Sequence, residues 1–208
     1  MNKKLFDDWA STYHHFIQRS EEEKSYPFYG YGQIQKCVFE HANRVDKSDI
    51  LEMGIGTGMM TKELYSLNHT ITGVDFSKNM LKEAKKIMPD NAYIESEFLA
   101  SLDLLEGQLF DTIIFSYSIH HLPVNEQVYL LNTLSKHLNK HGRIVIGDVM
   151  TKTKEGMYML SKKYQTIWDE EEYYPTYEEY KESLLNEVYK VEYLEITECS
   201  GVCTLFKD

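Results

Sequence analysis

The sequence contains few cysteines, and their number bears on the class of protein. Cys37, Cys199 and Cys203 form an odd set, which does not suggest the disulfide framework of a small secreted domain. Cys199 and Cys203 flank Ser200-Gly201, so a disulfide bond across that turn is one alternative. We favour three free thiols, because cysteine is a common small core residue.

Long apolar runs are also missing. No segment approaches the roughly 20 apolar residues that a membrane helix requires. Asp7, Asp8 and Trp9 stand where a signal peptide would need its apolar stretch. We therefore expect a soluble protein that resides in the cytoplasm.

Basic residues are outnumbered by acidic ones. The chain has 22 Lys and Arg against 33 Asp and Glu, for a net charge of −11. Such a charge repels phosphate backbones, which argues against an extensive nucleic-acid surface and favours a small-molecule ligand. Nucleic-acid binding remains an alternative if five lysines form a local patch: Lys62, Lys78, Lys82, Lys85 and Lys86.

Apolar segments alternate with helical patterns along most of the chain. Its 208 residues fit one domain. We predict a helix from Met59 to Leu67 and a second helix capped by Ser77. A third helix begins at Pro123, and its apolar positions extend to Leu138. We expect Gly142 to end it in a left-handed conformation. Five strands are predicted between these helices, at residues 49–53, 70–74, 91–94, 110–115 and 143–149.

The tail of the chain departs from this alternation. Residues 191–197 and 202–206 form two strand patterns whose connection is too short for a crossover helix, so we expect an antiparallel hairpin. The predicted fold is α/β: a doubly wound, Rossmann-like, seven-stranded sheet of five parallel strands and a C-terminal antiparallel hairpin.

Four segments divide this single predicted domain, residues 1–208. They are an N-terminal helical lid (1–48), a cofactor-binding core (49–150), a helical acceptor cover (151–189) and the hairpin (190–208). Thr176 and Glu179 form a predicted capping box, and Glu170 to Glu172 a solvated face. Tyrosines are expected to close over the ligands from the lid (Tyr13, Tyr26, Tyr29, Tyr31) and, with Trp168, from the cover (Tyr158, Tyr164, Tyr173, Tyr174, Tyr177, Tyr180).

The ends of the predicted strands carry residues suited to one nucleoside ligand. Ligands of open α/β sheets lie outside the carboxyl ends of the strands. Gly54, Gly56 and Gly58 follow the first strand and allow a close backbone approach. Asp75 ends the second strand as an acceptor for both hydroxyls of a ribose. The remaining contacts are expected at an adenine acceptor (Glu97), two groups that sandwich the base (Met80 and Phe98) and the end of strand four (Ser116). Asp148, at the end of strand five, either contacts the acceptor or caps the strand.

The glycine segment Glu52-Met53-Gly54-Ile55-Gly56-Thr57-Gly58 has GxGxG spacing rather than GxGxxG, which disfavours a nicotinamide cofactor. With it, the chain resembles the class I S-adenosylmethionine-dependent methyltransferases. It is similar to small bacterial members that carry Trp-Ala-x-x-Tyr near the N-terminus, here Trp9 to Tyr13, and His-His-Leu after the fourth strand, here His120 to Leu122.

This resemblance implies S-adenosylmethionine as cofactor and S-adenosylhomocysteine as product. It assigns cofactor contacts to Glu52, the three glycines, Asp75 and Glu97, although the family more often has Asp at the position of Glu97. The neighbouring Phe76 and, in the N-terminal segment, Tyr13 complete the expected cofactor site.

His120 and His121 are the candidate catalytic residues, since an imidazole can take a proton from an acceptor hydroxyl or amine. We expect at most one of them to face the pocket, because adjacent loop residues usually point to different sides. We predict no metal site, because no Cys or carboxylate stands at ligand spacing.

We therefore expect methyl transfer by direct in-line displacement to a small acceptor, carried out by a monomer or a homodimer. Two alternatives remain: a protein that binds the cofactor without catalysis, and a dinucleotide-dependent oxidoreductase.

Overall fold

The computed structural model describes residues 13–184 and 189–207, and for residues 13–16 the backbone alone. Trp9 to Thr12 of the predicted N-terminal motif therefore lie outside the described residues, as does the side chain of Tyr13. Within the described ranges, no helix has the length and apolar character needed to cross a membrane.

A single mixed sheet organises the described chain. Its strands lie in the order β3-β2-β1-β4-β5-β7-β6, with parallel pairing from β3 through β5 and antiparallel pairing of β7 with β5 and β6. This arrangement confirms the predicted fold, including the C-terminal hairpin. The strands are β1 Asp49–Met53, β2 Thr70–Asp75, β3 Ala92–Glu95, β4 Phe110–Ser116, β5 Leu138–Val149, β6 Tyr189–Glu195 and β7 Ser200–Lys207.

Helices cover both faces of the sheet, and several begin at the residues that the sequence predicts. The Ser77 side chain accepts a hydrogen bond from the Met80 backbone N–H, and Thr176 and Glu179 form the capping box. The described helices are α1 Tyr13–Glu22, α2 Tyr31–Ala42, α3 Lys62–Ser66, α4 Lys78–Ile87, α5 Phe98–Leu104, α6 Val124–Leu134, α7 Lys154–Lys163 and α8 Tyr177–Ser183.

Two predicted helix boundaries are wrong. The helix after the glycine loop begins at Lys62 rather than Met59, because residues 54–61 form turns. Further along, α6 ends at Leu134, a short 3-10 turn follows, and Leu138 already belongs to β5. The left-handed residue in this region is His141, with φ 63°, and not Gly142.

Alternate residues of the central strands pack into two apolar layers. Ile50 packs with α2, α3 and α4 on one face, whereas the adjacent Leu51 packs with α5, α6 and α8 on the other. This double burial explains the near-continuous apolar character of β1 and β4. The three cysteines are free and buried, which confirms the prediction of free thiols.

Candidate active site

A large cavity lies at the carboxyl ends of the parallel strands. Its wall includes residues that follow or end each of β1 to β5, among them Gly54, Asp75, Phe98, Ser116 and Val149. The cavity encloses about 1850 Å³, whereas sites for one small molecule usually span about 300–1,000 Å³. It therefore has room for a nucleoside cofactor and a second molecule beside it.

The three glycines of the loop after β1 have different roles. Gly54 has φ 79°, and a Cβ placed on it would lie 2.6 Å from the Ser118 Cβ. A Cβ on Gly58 would lie 2.6 Å from the Met88 Cε, and Gly58 is not part of the described cavity wall. Gly56 lines the cavity with φ 52°, and a Cβ there would meet nothing within 4 Å. Gly56 is thus the position where a missing side chain leaves space for a ligand.

Asp75 ties the glycine loop to the start of α4. Its carboxylate accepts hydrogen bonds from the backbone N–H of Gly56 at 2.9 Å and of Ser77 at 2.8 Å. Burial raises the pKa of Asp75, and these two hydrogen bonds oppose that rise. The side chain lines the cavity at the predicted position, and it also holds the loop in shape, a role that spacing alone does not reveal.

Glu52 is a carboxyl group in the floor of the site. It is 1% exposed, lines the cavity and accepts a hydrogen bond from the Thr61 hydroxyl at 2.8 Å. Burial raises the pKa of Glu52 to about 8, against the effect of that hydrogen bond. A cation placed beside Glu52 would favour its ionised form.

The structure brings most of the predicted base-binding residues to the cavity. Phe76, Met80 and Phe98 line it together. Glu97 lies at the N-terminus of α5 with an exposed side chain, and it is not part of the described cavity wall. Its contact with adenine stays a prediction.

The end of β4 is fixed from two sides. The Ser116 hydroxyl accepts a hydrogen bond from the Gln35 side chain of α2 at 2.9 Å, and the Ser118 hydroxyl donates to the Met53 carbonyl at 2.8 Å. Between them, Tyr117 has φ 49°, a strained conformation for a residue with a side chain. Such strain is concentrated at functional sites, and Tyr117 lines the cavity.

His120 and His121 both line the cavity, so the expectation that at most one would do so is wrong. They belong to a short 3-10 turn, residues 119–121, that carries both rings to the same wall. The His120 Nδ1 lies 2.6 Å from the Asp148 Oδ1, and its Nε2 lies 3.6 Å from the Glu172 Oε2. The same Glu172 oxygen lies 2.8 Å from the His121 Nδ1.

Carboxylates determine the ionisation of this group. Burial lowers the pKa of His120, but the charge and hydrogen bond of Asp148, together with Glu172 and Asp169, raise it above its usual value. Burial alone would raise the pKa of Glu172. The hydrogen bond from His121 and the charges of both imidazoles have a larger effect in the opposite direction, so the pKa of Glu172 is lowered. Asp148 is fully buried behind His120 and holds that ring in place.

Glu172 was missed because three consecutive glutamates are typical of a solvated face. The structure contradicts that interpretation for Glu172, whose side chain is 18% exposed. The structure also contradicts the argument against a metal site, which was that no carboxylate stands at ligand spacing from the histidines. One ligand atom each of His120, His121 and Glu172 lie within 4.8 Å of one another. This carboxylate stands 51 residues after His121, so ligand spacing could not reveal it.

The lid and the cover meet above this group. We call residues 167–174, between α7 and α8, the cover loop; this irregular segment, rather than the two helices, lines the cavity. The Tyr26 hydroxyl contacts the Tyr174 hydroxyl, and the Tyr26 ring stacks on Trp168 with centroids 4.9 Å apart.

The other predicted tyrosines divide between the cavity and the packing around it. Tyr31 and Tyr173 also line the cavity, whereas Tyr158 is exposed, Tyr177 stacks on Tyr193 and Tyr180 is in the core. Tyr29 uses its carbonyl to accept hydrogen bonds from the Thr197 and Ser200 hydroxyls.

The fold is similar to that of solved methyltransferases. The magnesium protoporphyrin IX methyltransferase of Synechocystis PCC 6803, solved with bound SAH, matches with a TM-score of 0.65 and 16% identity over the full length of both chains. At this identity the similarity concerns the fold.

Sequence comparison identifies the family. Residues 50–142 match the model of a methyltransferase domain. An uncharacterized methyltransferase of Alkaliphilus oremlandii is 32% identical over 152 residues, which cover 73% of this chain and 69% of the relative. Another, from Bacillus licheniformis, is 31% identical over 195 residues, or 90% of this chain and 89% of the relative. The chain belongs to the methyltransferase family.

Proposed function

We propose that the chain transfers a methyl group from S-adenosylmethionine to a small-molecule acceptor and releases S-adenosylhomocysteine. The observation that carries this proposal is the arrangement of Gly56 and Asp75 on the wall of a cavity large enough for two ligands. The bound SAH of the similar Synechocystis enzyme supports the choice of cofactor.

In this proposal the residues of the cavity divide into a cofactor half and an acceptor half. Gly54 and Gly56 face the cofactor backbone, Asp75 the ribose, and Glu52 the cationic part of the methionine moiety. Phe76, Met80 and Phe98 enclose the base, and Ser116 borders the methionine end. His120, His121 and the cover loop enclose the acceptor. Tyr13 and Glu97 remain predicted contacts.

The cofactor, when bound, supplies a methyl group on a positively charged sulfur atom. Direct in-line displacement requires the residues to hold the nucleophile on the line of the carbon–sulfur bond and to exclude water. His120 takes the acceptor proton at Nε2, because the hydrogen bond from Nδ1 to Asp148 leaves Nε2 as the accepting nitrogen of the neutral ring. His121 orients the acceptor beside it.

Titration of S-adenosylhomocysteine into the protein tests the cofactor assignment. Gly56→Ala should weaken binding at least about tenfold, because its methyl group projects into the open space of the loop. Gly107→Ala is the matched control: it also has positive φ with open space around it and lies off the cavity wall, so it carries a backbone strain of the same order, about 1–2 kcal/mol.

Asp75→Ala should abolish saturable binding, because it removes the ribose acceptor and both loop hydrogen bonds. Full affinity in Gly56→Ala and Asp75→Ala would overturn the assigned cofactor site. Binding in the wild type without label transfer from methyl-labelled cofactor to any acceptor would instead favour a cofactor-binding protein without catalysis.

A further inference from the structure

The acceptor end of the cavity is negatively charged. Asp169, Glu170, Glu171 and Glu172 line it in succession on the cover loop, and Asp148 lies behind His120. Two lysines contribute to the described cavity wall, and neither belongs to the cover loop. Lys36 lies on α2, 3.9 Å from Glu40, and Lys62 starts the helix after the glycine loop. This wall repels an anionic acceptor and attracts a cation.

His120 and Glu172 form a pair of hydrogen-bond acceptors at this wall. The His120 Nε2 and the Glu172 Oε2 lie 3.6 Å apart, close enough for one donor atom beside them to form a hydrogen bond with each. The neutral His120 ring keeps its proton on Nδ1, where Asp148 accepts it, so Nε2 accepts. A nitrogen that carries two hydrogens donates one hydrogen bond to each of these acceptors. A hydroxyl has a single hydrogen, so it would direct a lone pair at the second acceptor.

Aromatic rings line the cavity wall, and one of them lies beside this pair. The Tyr174 ring lies 5.5 Å from the His120 ring and is joined to Tyr26 through their hydroxyls. Phe28, Tyr31 and Tyr117 form a second group of rings on the cavity wall, with centroids 5.1 to 5.8 Å apart. Aromatic faces attract cations and pack against apolar groups, so this wall suits an ammonium attached to an apolar or aromatic body.

Building on the proposed function, we infer that the methyl acceptor is a primary or secondary amine, held as a cation between Glu172 and His120, with an apolar or aromatic body against the tyrosines. The carboxylate of Glu172 binds the ammonium, and Nε2 of His120 removes one proton from it. The neutral amine nitrogen then forms a bond to the methyl carbon as the carbon–sulfur bond breaks. The electron pair of that bond stays on sulfur, and the N-methylated product keeps a positive charge that Glu172 balances.

The experiment separates acceptors by charge before the reaction. A metabolite extract is divided by ion exchange into cationic, neutral and anionic fractions, and each is incubated with the full chain, methyl-labelled S-adenosylmethionine and EDTA. Label should enter the cationic fraction, in products whose fragment masses place the methyl group on nitrogen. In parallel, 2-phenylethylamine, 2-phenylethanol and 3-phenylpropionate are titrated into the complex with S-adenosylhomocysteine, where the amine should bind at least tenfold more tightly than the other two.

Glu172→Gln and Glu182→Gln form the matched pair of variants. Glu172→Gln should remove the preference for the amine and lower labelling of the cationic fraction at least tenfold, while Glu182→Gln retains both. Glu182 suits this comparison because it is an exposed glutamate of α8 that is not part of the described cavity wall. Both variants should bind S-adenosylhomocysteine as the wild type does.

Several outcomes would overturn the inference. They are label in the anionic or neutral fraction, a probe preference that survives in Glu172→Gln, and amine methylation that EDTA abolishes. The last outcome would assign the group of His120, His121 and Glu172 to a metal ion. No label in any fraction, or failure of the wild type to bind S-adenosylhomocysteine, would instead refute the proposed function itself, so the two failures are distinguishable.

Discussion

The ionisation of Glu52 links the stability of the protein to pH. Its pKa is raised from the ordinary value of 4.5 to about 8 in the folded protein, so between these values the folded state holds one proton more than the unfolded state. This contribution to stability is complete below the lower value and is lost as the pH rises through the upper one. The free energy of unfolding should fall by about 1.4 kcal/mol per pH unit more steeply in the wild type than in Glu52→Gln.

Urea unfolding of the cofactor-free protein at several pH values between 5 and 8 measures this slope. Glu63→Gln, an exposed glutamate after the same loop, should keep the wild-type slope. Parallel stability curves for the wild type and Glu52→Gln would contradict the assignment.

The pair formed by His120 and Asp148 makes a separate prediction. The groups facing His120 are Asp148 on β5, three residues of the cover loop (Asp169, Glu172 and Tyr174) and the ring of His121. The carboxylates raise the pKa of His120 above its usual value. Asp148→Asn removes a charge 2.6 Å from Nδ1 and should lower that pKa by at least about one pH unit.

NMR titration of labelled histidine side chains reads this pKa without an acceptor, with the His120 signal identified by its absence in His120→Gln. Asp111→Asn is the control, because Asp111 lies at the start of β4 and bonds the Asp49 N–H. An unchanged His120 titration in Asp148→Asn would refute the pairing.

At this scale, the sequence predicts residues that local spacing or a strand end defines. Gly56 and Asp75 were found in this way, and both lie on the cavity wall. Glu172 was not predicted, because its partners His121 and His120 are 51 and 52 residues away in the chain. Only the folded loop brings the three side chains together. Gly58 matched the motif but packs against Met88 instead of lining the cavity.

Among the elements, the cover loop depends on one buried side chain of α6. Gln127 is fully buried, and its Nε2 donates to the carbonyls of Leu122 and Tyr173, both at 2.7 Å. Its Oε1 accepts from the Tyr180 hydroxyl at 2.6 Å. Gln127→Ala leaves these buried groups without their partner and should lower the free energy of unfolding by about 2–4 kcal/mol.

Hydrogen exchange should show faster exchange of the Tyr173 N–H in Gln127→Ala, because that group donates to the His120 carbonyl within the loosened region. Gln108→Ala provides the comparison, since Gln108 is exposed and donates to one carbonyl of its own turn. Equal exchange rates and equal stabilities in the two variants would show that Gln127 does not hold the loop.

Element boundaries were predicted well where apolar periodicity and capping residues coincide. Residues 49–53 match β1 in full, and Ser77 and Thr176 cap their helices. The start of β5 was missed because Leu138 fits the helical spacing of α6 and also pairs with Phe110 of β4. A residue that fits both the helical and the strand pattern takes the structure in which its tertiary partner holds it. The sequence does not show which residue that partner is.

At the scale of the molecule, the net charge of −11 has a counterpart inside the site. Carboxylates outnumber lysines on the cavity wall, so the potential inside the site has the same sign as that of the whole chain. Low-dielectric walls focus such a field on the ligands. The charge that argued against nucleic acids also favours the methyl donor, with its sulfonium, over the product, which has one positive charge fewer.

Ionic strength should therefore separate the two forms of the cofactor. S-adenosylmethionine carries one positive charge more than S-adenosylhomocysteine, and the screening length shrinks from about 30 Å at 0.01 M salt to about 3 Å at 1 M. Over this range the dissociation constant of the donor should rise about fivefold, which is about 1 kcal/mol, while that of the product changes less than about twofold. Calorimetric titrations of both compounds at the two salt concentrations measure the difference. Equal salt dependence would mean that the cavity potential does not act on the sulfonium, and the preference for cationic ligands would then rest on Glu172 and its immediate neighbours alone.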